Sequence, residues 1–106
     1  LFKDKNGDSL APEEGALHPI FDTVDAIEVA NGGNTQEENE MALHVSQLRG
    51  MLGTGGSDAH STHGLGSCVT VFDGEVRSKA DFMEALKSGA YEPGVGFNTA
   101  TLKILT

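Results

Sequence analysis

From Val24 to Asn31 the chain alternates, with Val24, Ala26, Glu28 and Ala30 on one side and Asp25, Ile27, Val29 and Asn31 on the other. A period of two predicts a β-strand. The cluster Asn31-Gly32-Gly33-Asn34 ends it, and Thr35 to Glu38 has the form of a capping box in which the Thr35 side chain accepts from the Glu38 amide. A helix follows, because Met41, Ala42, Val45 and Leu48 recur at three- and four-residue spacings, leaving Glu37, Glu40 and Gln47 outward and Gly50 as the stop. Leu52 to Gly56 predicts a short strand that feeds a loop, and the β-branched and aromatic run Cys68 to Phe72 predicts another strand. Ser78 caps a second helix with Phe82, Ala85 and Leu86 on one face, Gly89 ends it, and Phe97 to Leu105 predicts a final strand. Residues 1–15 mix Lys, Asp, Asn, Gly and Pro and predict a loop-like lead-in, within which Ala11-Pro12-Glu13-Glu14 opens at most a brief helix.

Strand, helix, strand, strand, helix, strand is the cadence of an α/β domain with largely parallel strands and outer helices. Three or four strands leave open edges, so the remainder of a domain or a second copy is expected to cover them. The 106 residues suffice for one domain, and 14 glycines point to tight turns and close backbone approaches. The chain opens on Leu without a leading element, which favours a part of a longer protein. Seven basic against sixteen acidic residues give a charge of −9, which disfavours nucleic acid as a partner. An anionic substrate would need a local cation, and bound divalent metal is the natural source. Cys68 stands alone, so there is no internal disulfide, and a reducing, cytoplasmic location is expected. Nothing in the sequence approaches the ~20 apolar residues of a membrane span.

The chemistry concentrates in Gly55-Gly56-Ser57-Asp58-Ala59-His60, at the end of a predicted strand, where α/β folds gather their functional loops. In an extended segment Asp58 and His60 point the same way and can share a cation; a carboxylate with an imidazole suits Zn²⁺, Mn²⁺ or Fe²⁺. An aspartate turn cap beside a surface histidine fits the same pattern, and the local sequence leaves both readings open.

Gly55 to His60 followed by Leu65-Gly66 resembles the last motif of the polymerase and histidinol phosphatase (PHP) family. Asp25-Ala26-Ile27-Glu28-Val29-Ala30-Asn31-Gly32, Glu38-Asn39 and Ala85-Leu86-Lys87-Ser88-Gly89 resemble the same region in order, so that residues 10 to 92 fit. The resemblance implies the C-terminal part of a single PHP-like domain, a distorted β/α barrel with two or three metals at its strand ends that hydrolyses a phosphate ester. It makes Asp58 and His60 metal ligands. The family's opening H-x-H, its bridging acidic residue and its middle histidines have no counterpart here, so the chain alone is expected to be inactive. A small phosphorylated substrate is expected; a 3′-5′ exonuclease-type domain and a non-catalytic assembly module are the alternatives. Glu28, Asn31 and His63 are weaker candidates for substrate contact, against plain roles in a strand end, a turn and an exposed loop. His18-Pro19 is similar to a family ligand motif but also reads as a linking segment, whereas His44 reads as structural and Cys68 as a buried small hydrophobe.

Overall fold

The computed structural model of the protein describes residues 1–105. A short helix α1 (Pro12–Gly15) and a 3-10 turn (Pro19–Asp22) lead into β1 (Ala26–Asn31), α2 (Gln36–Arg49) and β2 (Leu52–Gly56). A one-turn 3-10 helix (Thr62–Gly64) then precedes β3 (Cys68–Phe72), α3 (Lys79–Ser88), β4 (Tyr91–Val95) and the two-residue β5 (Lys103–Ile104). The lead-in is more ordered than its composition suggests, since Lys3 and Ser9 form an antiparallel bridge and α1 follows it.

The strands form two sheets, one a parallel pair β1-β2 and the other antiparallel, in the order β3-β4-β5. The largely parallel sheet expected from the α/β cadence is therefore confined to the first pair. Crossover length explains the difference. At 14 residues, α2 spans about 21 Å, which matches the length of β1 and returns the chain to the start of the sheet. The β3-β4 connection, by contrast, carries a 10-residue helix that spans only about 15 Å, with residues 73–78 before it. The net displacement is small, so β4 begins beside the end of β3, with Phe72 opposite Tyr91 and the Asp73 amide donating to the Ala90 carbonyl at 3.0 Å.

The local signals act as read. Thr35 and Glu38 form a reciprocal capping box, the Ser78 hydroxyl accepts from the Asp81 amide, and Gly50 and Gly89 end their helices in the left-handed conformation. The Thr35 hydrogen bonds hold the Glu38 carboxyl below its ordinary range. The main core lies between β1, α2 and the lead-in, where Val29 and Val45 are fully buried beside Ile27, Ala42, Phe21 and Ala16. Arg49, at the end of α2, ties down the lead-in by pairing with Asp22 at 2.6 Å and donating to the Ala16 carbonyl at 3.3 Å.

A bulge between Glu28 and Ala30 shifts the β1-β2 register, which is why Val29 and Ala30 are both buried despite the strand period. Gly55 lies so close to β3 that a Cβ there would overlap the Val69 carbonyl. The Thr70 hydroxyl accepts from the Gly55 amide at 2.9 Å and donates to the Gly55 carbonyl at 2.7 Å, satisfying the edge of β2. On the opposite edge the Asn39 carboxamide does the same for Asn31, accepting from its amide at 3.1 Å and donating to its carbonyl at 3.0 Å.

The final strand occupies only 103–104 rather than the predicted 97–105, and β4 at 91–95 takes the central place in its sheet. Pro93 disguised β4, because proline is rare in central strands. Here its carbonyl accepts from Leu105 at 2.9 Å, so its nitrogen also faces the short β5, where an amide is not needed for the two-pair ladder. The radius of gyration is 14.6 Å, above the about 13 Å of a compact domain this long, and α3 buries no residue fully.

Two outcomes test this description. Gly55→Ala should lower unfolding stability by at least about 2 kcal/mol in urea titrations, because the obstructing atom is backbone and cannot rotate away. Since the Glu38 pKa is lowered on folding, the stability it contributes is present above the unfolded carboxyl range and is lost as pH falls through the folded value. Acid titration of thermal stability should show that loss, and Thr35→Ala should reduce it without abolishing it, because the backbone amide at position 35 still donates to the Glu38 carboxylate.

Candidate functional site

The carboxyl ends of β1 and β2 lie side by side, with Asn31 opposite Gly56 and the Gly32 amide donating to the Gly56 carbonyl at 3.0 Å. Two turns leave this point, one through Gly32 and Gly33 to α2 and the other through Ser57 to His60. Asp58 and His60 are thus carried at a strand C-terminus, as their sequence position predicts, and both are exposed.

The backbone between them departs from the extended form assumed for a D-x-H pair. Asp58 adopts φ 48°, a left-handed conformation that non-glycine residues seldom take and that Asp tolerates better than most. The kink brings the Asp58 carbonyl to 2.9 Å from His60 Nδ1. A carbonyl only accepts, so in the neutral ring Nδ1 carries the proton and Nε2 keeps its lone pair. That is how metal-binding histidines are commonly held, through a second hydrogen bond that fixes the tautomer.

Opposite Asp58, the β1 turn presents Gly33, where an ideal Cβ would lie 3.0 Å from Asp58 Oδ2. Glu28 reaches across in the other direction, its Oε1 lying 2.8 Å from the Cβ position of Gly56. Asn31 connects the two turns, with Nδ2 donating to Glu28 Oε2 at 2.9 Å and Oδ1 accepting from the Gly33 amide at 2.8 Å. Glu28 and Asn31, weak substrate-contact candidates from sequence, are therefore bonded to each other and gathered on the same pair of strand ends as Asp58. Sequence reading overlooked Gly33 and Asn39, which shape this corner; the Gly-Gly pair and the early-helix asparagine were visible, but their close approaches were not.

The remaining candidates stand elsewhere or do other work. His63 lies exposed in the 62–64 turn, where its carbonyl accepts from Asn98 Nδ2 at 3.4 Å. His18 caps the 3-10 turn through Nδ1, which accepts from the Ile20 amide at 3.1 Å, as a linking segment would require. His44 is exposed on α2. Burial pushes the Cys68 thiol up, and the Glu28 carboxylate adds to the effect, so the sulfur is a poor nucleophile. Cys68 and Ser67, whose buried hydroxyl lacks a hydrogen-bond partner, line a cleft of about 590 Å³ between α2 and β4 that excludes Asp58 and His60.

As a metal site the donors fit in kind, a carboxylate with an imidazole whose Nε2 lone pair is free, and fall short in number. Among the described residues no three of His, Cys, Asp and Glu are grouped to hold a metal ion. Metal sites generally use three or more protein ligands, so this chain supplies part of one at most.

A mixed α/β fold with its polar residues gathered at strand ends agrees with the comparison of the chain with known families. The family described as PHP-associated matches residues 36–91, more than half of the chain, and the protein belongs to that family. The matched region runs from α2 through the Asp58 and His60 loop to the start of β4. Comparisons with curated proteins and with solved structures gave no match. No helix among the described residues is long and apolar enough to cross a membrane.

The left-handed backbone gives a direct test of strain at the loop. Asp58→Gly should leave unfolding stability unchanged or raise it by up to about 1 kcal/mol, while Asp58→Ala should lower it by a similar amount. Chemical denaturation of the three proteins measures both.

Proposed function

We propose that this chain is the metal-binding C-terminal part of a PHP-type phosphoesterase, in which Asp58 and His60 contribute two ligands to a cluster of two or three divalent ions. The observation that supports the reading is the His60 hydrogen bond, which leaves Nε2 free two residues from a carboxylate without a hydrogen-bond partner among the described residues, at a strand end. Within the complete domain the strands described here form part of a distorted β/α barrel, and residues outside the chain complete the metal site. Zn²⁺, Mn²⁺ and Fe²⁺ all suit a mixed oxygen and nitrogen donor set. Such ions would activate water and offset charge on the phosphoryl oxygens.

The residues present have distinct parts in this chemistry. Asp58 offers a hard anionic donor; His60 offers a neutral one, held in the binding tautomer by the Asp58 carbonyl. The net charge of −9 repels a polyanion, so the substrate is a small phosphate ester rather than a nucleic acid. The open packing and exposed apolar side chains such as Leu17, Leu65 and Phe97 favour association with the rest of the domain or with a second copy.

The shortage of donors supports a second reading, a non-catalytic assembly module that keeps the D-x-H pair without its partners. Activity separates the two. The complete domain should hydrolyse p-nitrophenyl phosphate with added Mn²⁺, stop when the metal is chelated, and lose at least about 100-fold on Asp58→Asn without a change in melting temperature. A complete domain that binds no metal and has no phosphatase activity with any of the three ions would leave only the assembly module.

A further inference from the structure

We propose that Asn31 and Gly33 form a positioning clamp for the Asp58 carboxylate, anchored by Glu28; the proposal rests on the reading of Asp58 as a metal ligand. Each strand end places a glycine beneath a carboxylate of the other. Glu28 of β1 lies over Gly56 at the end of β2, and Asp58, after β2, lies against Gly33, after β1. A Cβ at Gly33 would stand 3.0 Å from Asp58 Oδ2 and 3.3 Å from Asn31 Oδ1, so both side chains would have to shift by a few tenths of an ångström to admit it.

Asn31 makes this arrangement rigid. Its backbone amide and carbonyl are both held by Asn39, and its side chain bonds Gly33 on one side and Glu28 on the other. Its carbonyl also accepts from the Asn34 amide at 3.2 Å, closing the turn. With these groups turned inward, Asn31 is a positioning residue that acts through Asp58 rather than one that touches substrate. No side-chain or backbone donor among the described residues bonds the exposed Asp58 carboxylate, and its neighbour across the corner is the Gly33 turn that Asn31 holds. The free carboxylate keeps its lone pairs for a cation, while its direction is set by a neighbour that cannot compete for them.

A purely structural role would affect stability and leave Asp58 unchanged; a positioning role has the opposite signature. The test uses the full chain, with Mn²⁺ alone as probe, read by paramagnetic broadening of amide resonances at 57–61 and, without metal, by scalar couplings that report Asp58 χ1. Asn31→Ala should turn a single Asp58 rotamer into an average and weaken Mn²⁺ binding about tenfold, with the melting temperature nearly unchanged. Asn31→Asp should do the same by placing a carboxylate against Glu28, and Asn31→Asp with Glu28→Gln should restore both readouts, since the hydrogen bond re-forms with its donor reversed. Gly33→Ala should shift the rotamer by contact alone. An Asp58 rotamer and an Mn²⁺ affinity that are unaltered in Asn31→Ala and Gly33→Ala would overturn the clamp. If Asp58→Asn leaves Mn²⁺ binding intact, the ligand reading fails instead, and the metal-free couplings still decide the clamp.

Discussion

The approach of Gly55 to the Val69 carbonyl, bridged by the Thr70 hydroxyl, is the contact on which the rest of the structure depends. It joins the parallel pair to the antiparallel sheet beside the packing of β2 on β4, and it does so with backbone and one short side chain. Because a glycine permits the contact and a hydroxyl satisfies the strand edge, the loop after β2 emerges at a fixed distance from β3. The position of Asp58 and His60 relative to the antiparallel sheet follows from it.

A second constraint sets the corner itself. Parallel strands end level with one another, so the turns after β1 and β2 compete for the same space. Glycines at 32, 33 and 56 let them interleave, and the polar side chains fill the gaps that the missing Cβ atoms leave. The corner is therefore polar, exposed and yet well defined, a combination that apolar packing would not give.

Much of the first half was legible because local and tertiary signals agree there. The alternation around Ile27 and Val29, the Thr35 to Glu38 box and the apolar stripe of α2 each specify one structure, and the chain adopts it. Legibility fell where a tertiary partner decides. Tyr91 to Val95 contains Pro93 and Gly94, which argue against a strand, and only the neighbours β3 and β5 make it one. Likewise, strand direction after α3 depends on the path of residues 73–78, which periodicity does not encode. At the site, residue types and loop position could be read from sequence, but the left-handed Asp58 and the facing glycines are relations between distant segments. Family membership, by contrast, was readable from several short motifs in order, and the match over 36–91 agrees with it.

The Asn39 carboxamide imitates one residue of a neighbouring strand, occupying the outer hydrogen-bonding groups of Asn31. Any strand that docks along the free side of β1 must therefore stop short of that point, since its next peptide would find no vacant donor or acceptor. A single side chain in this way dictates how far a sheet can be extended, and keeps the functional end of the strand clear of backbone from elsewhere.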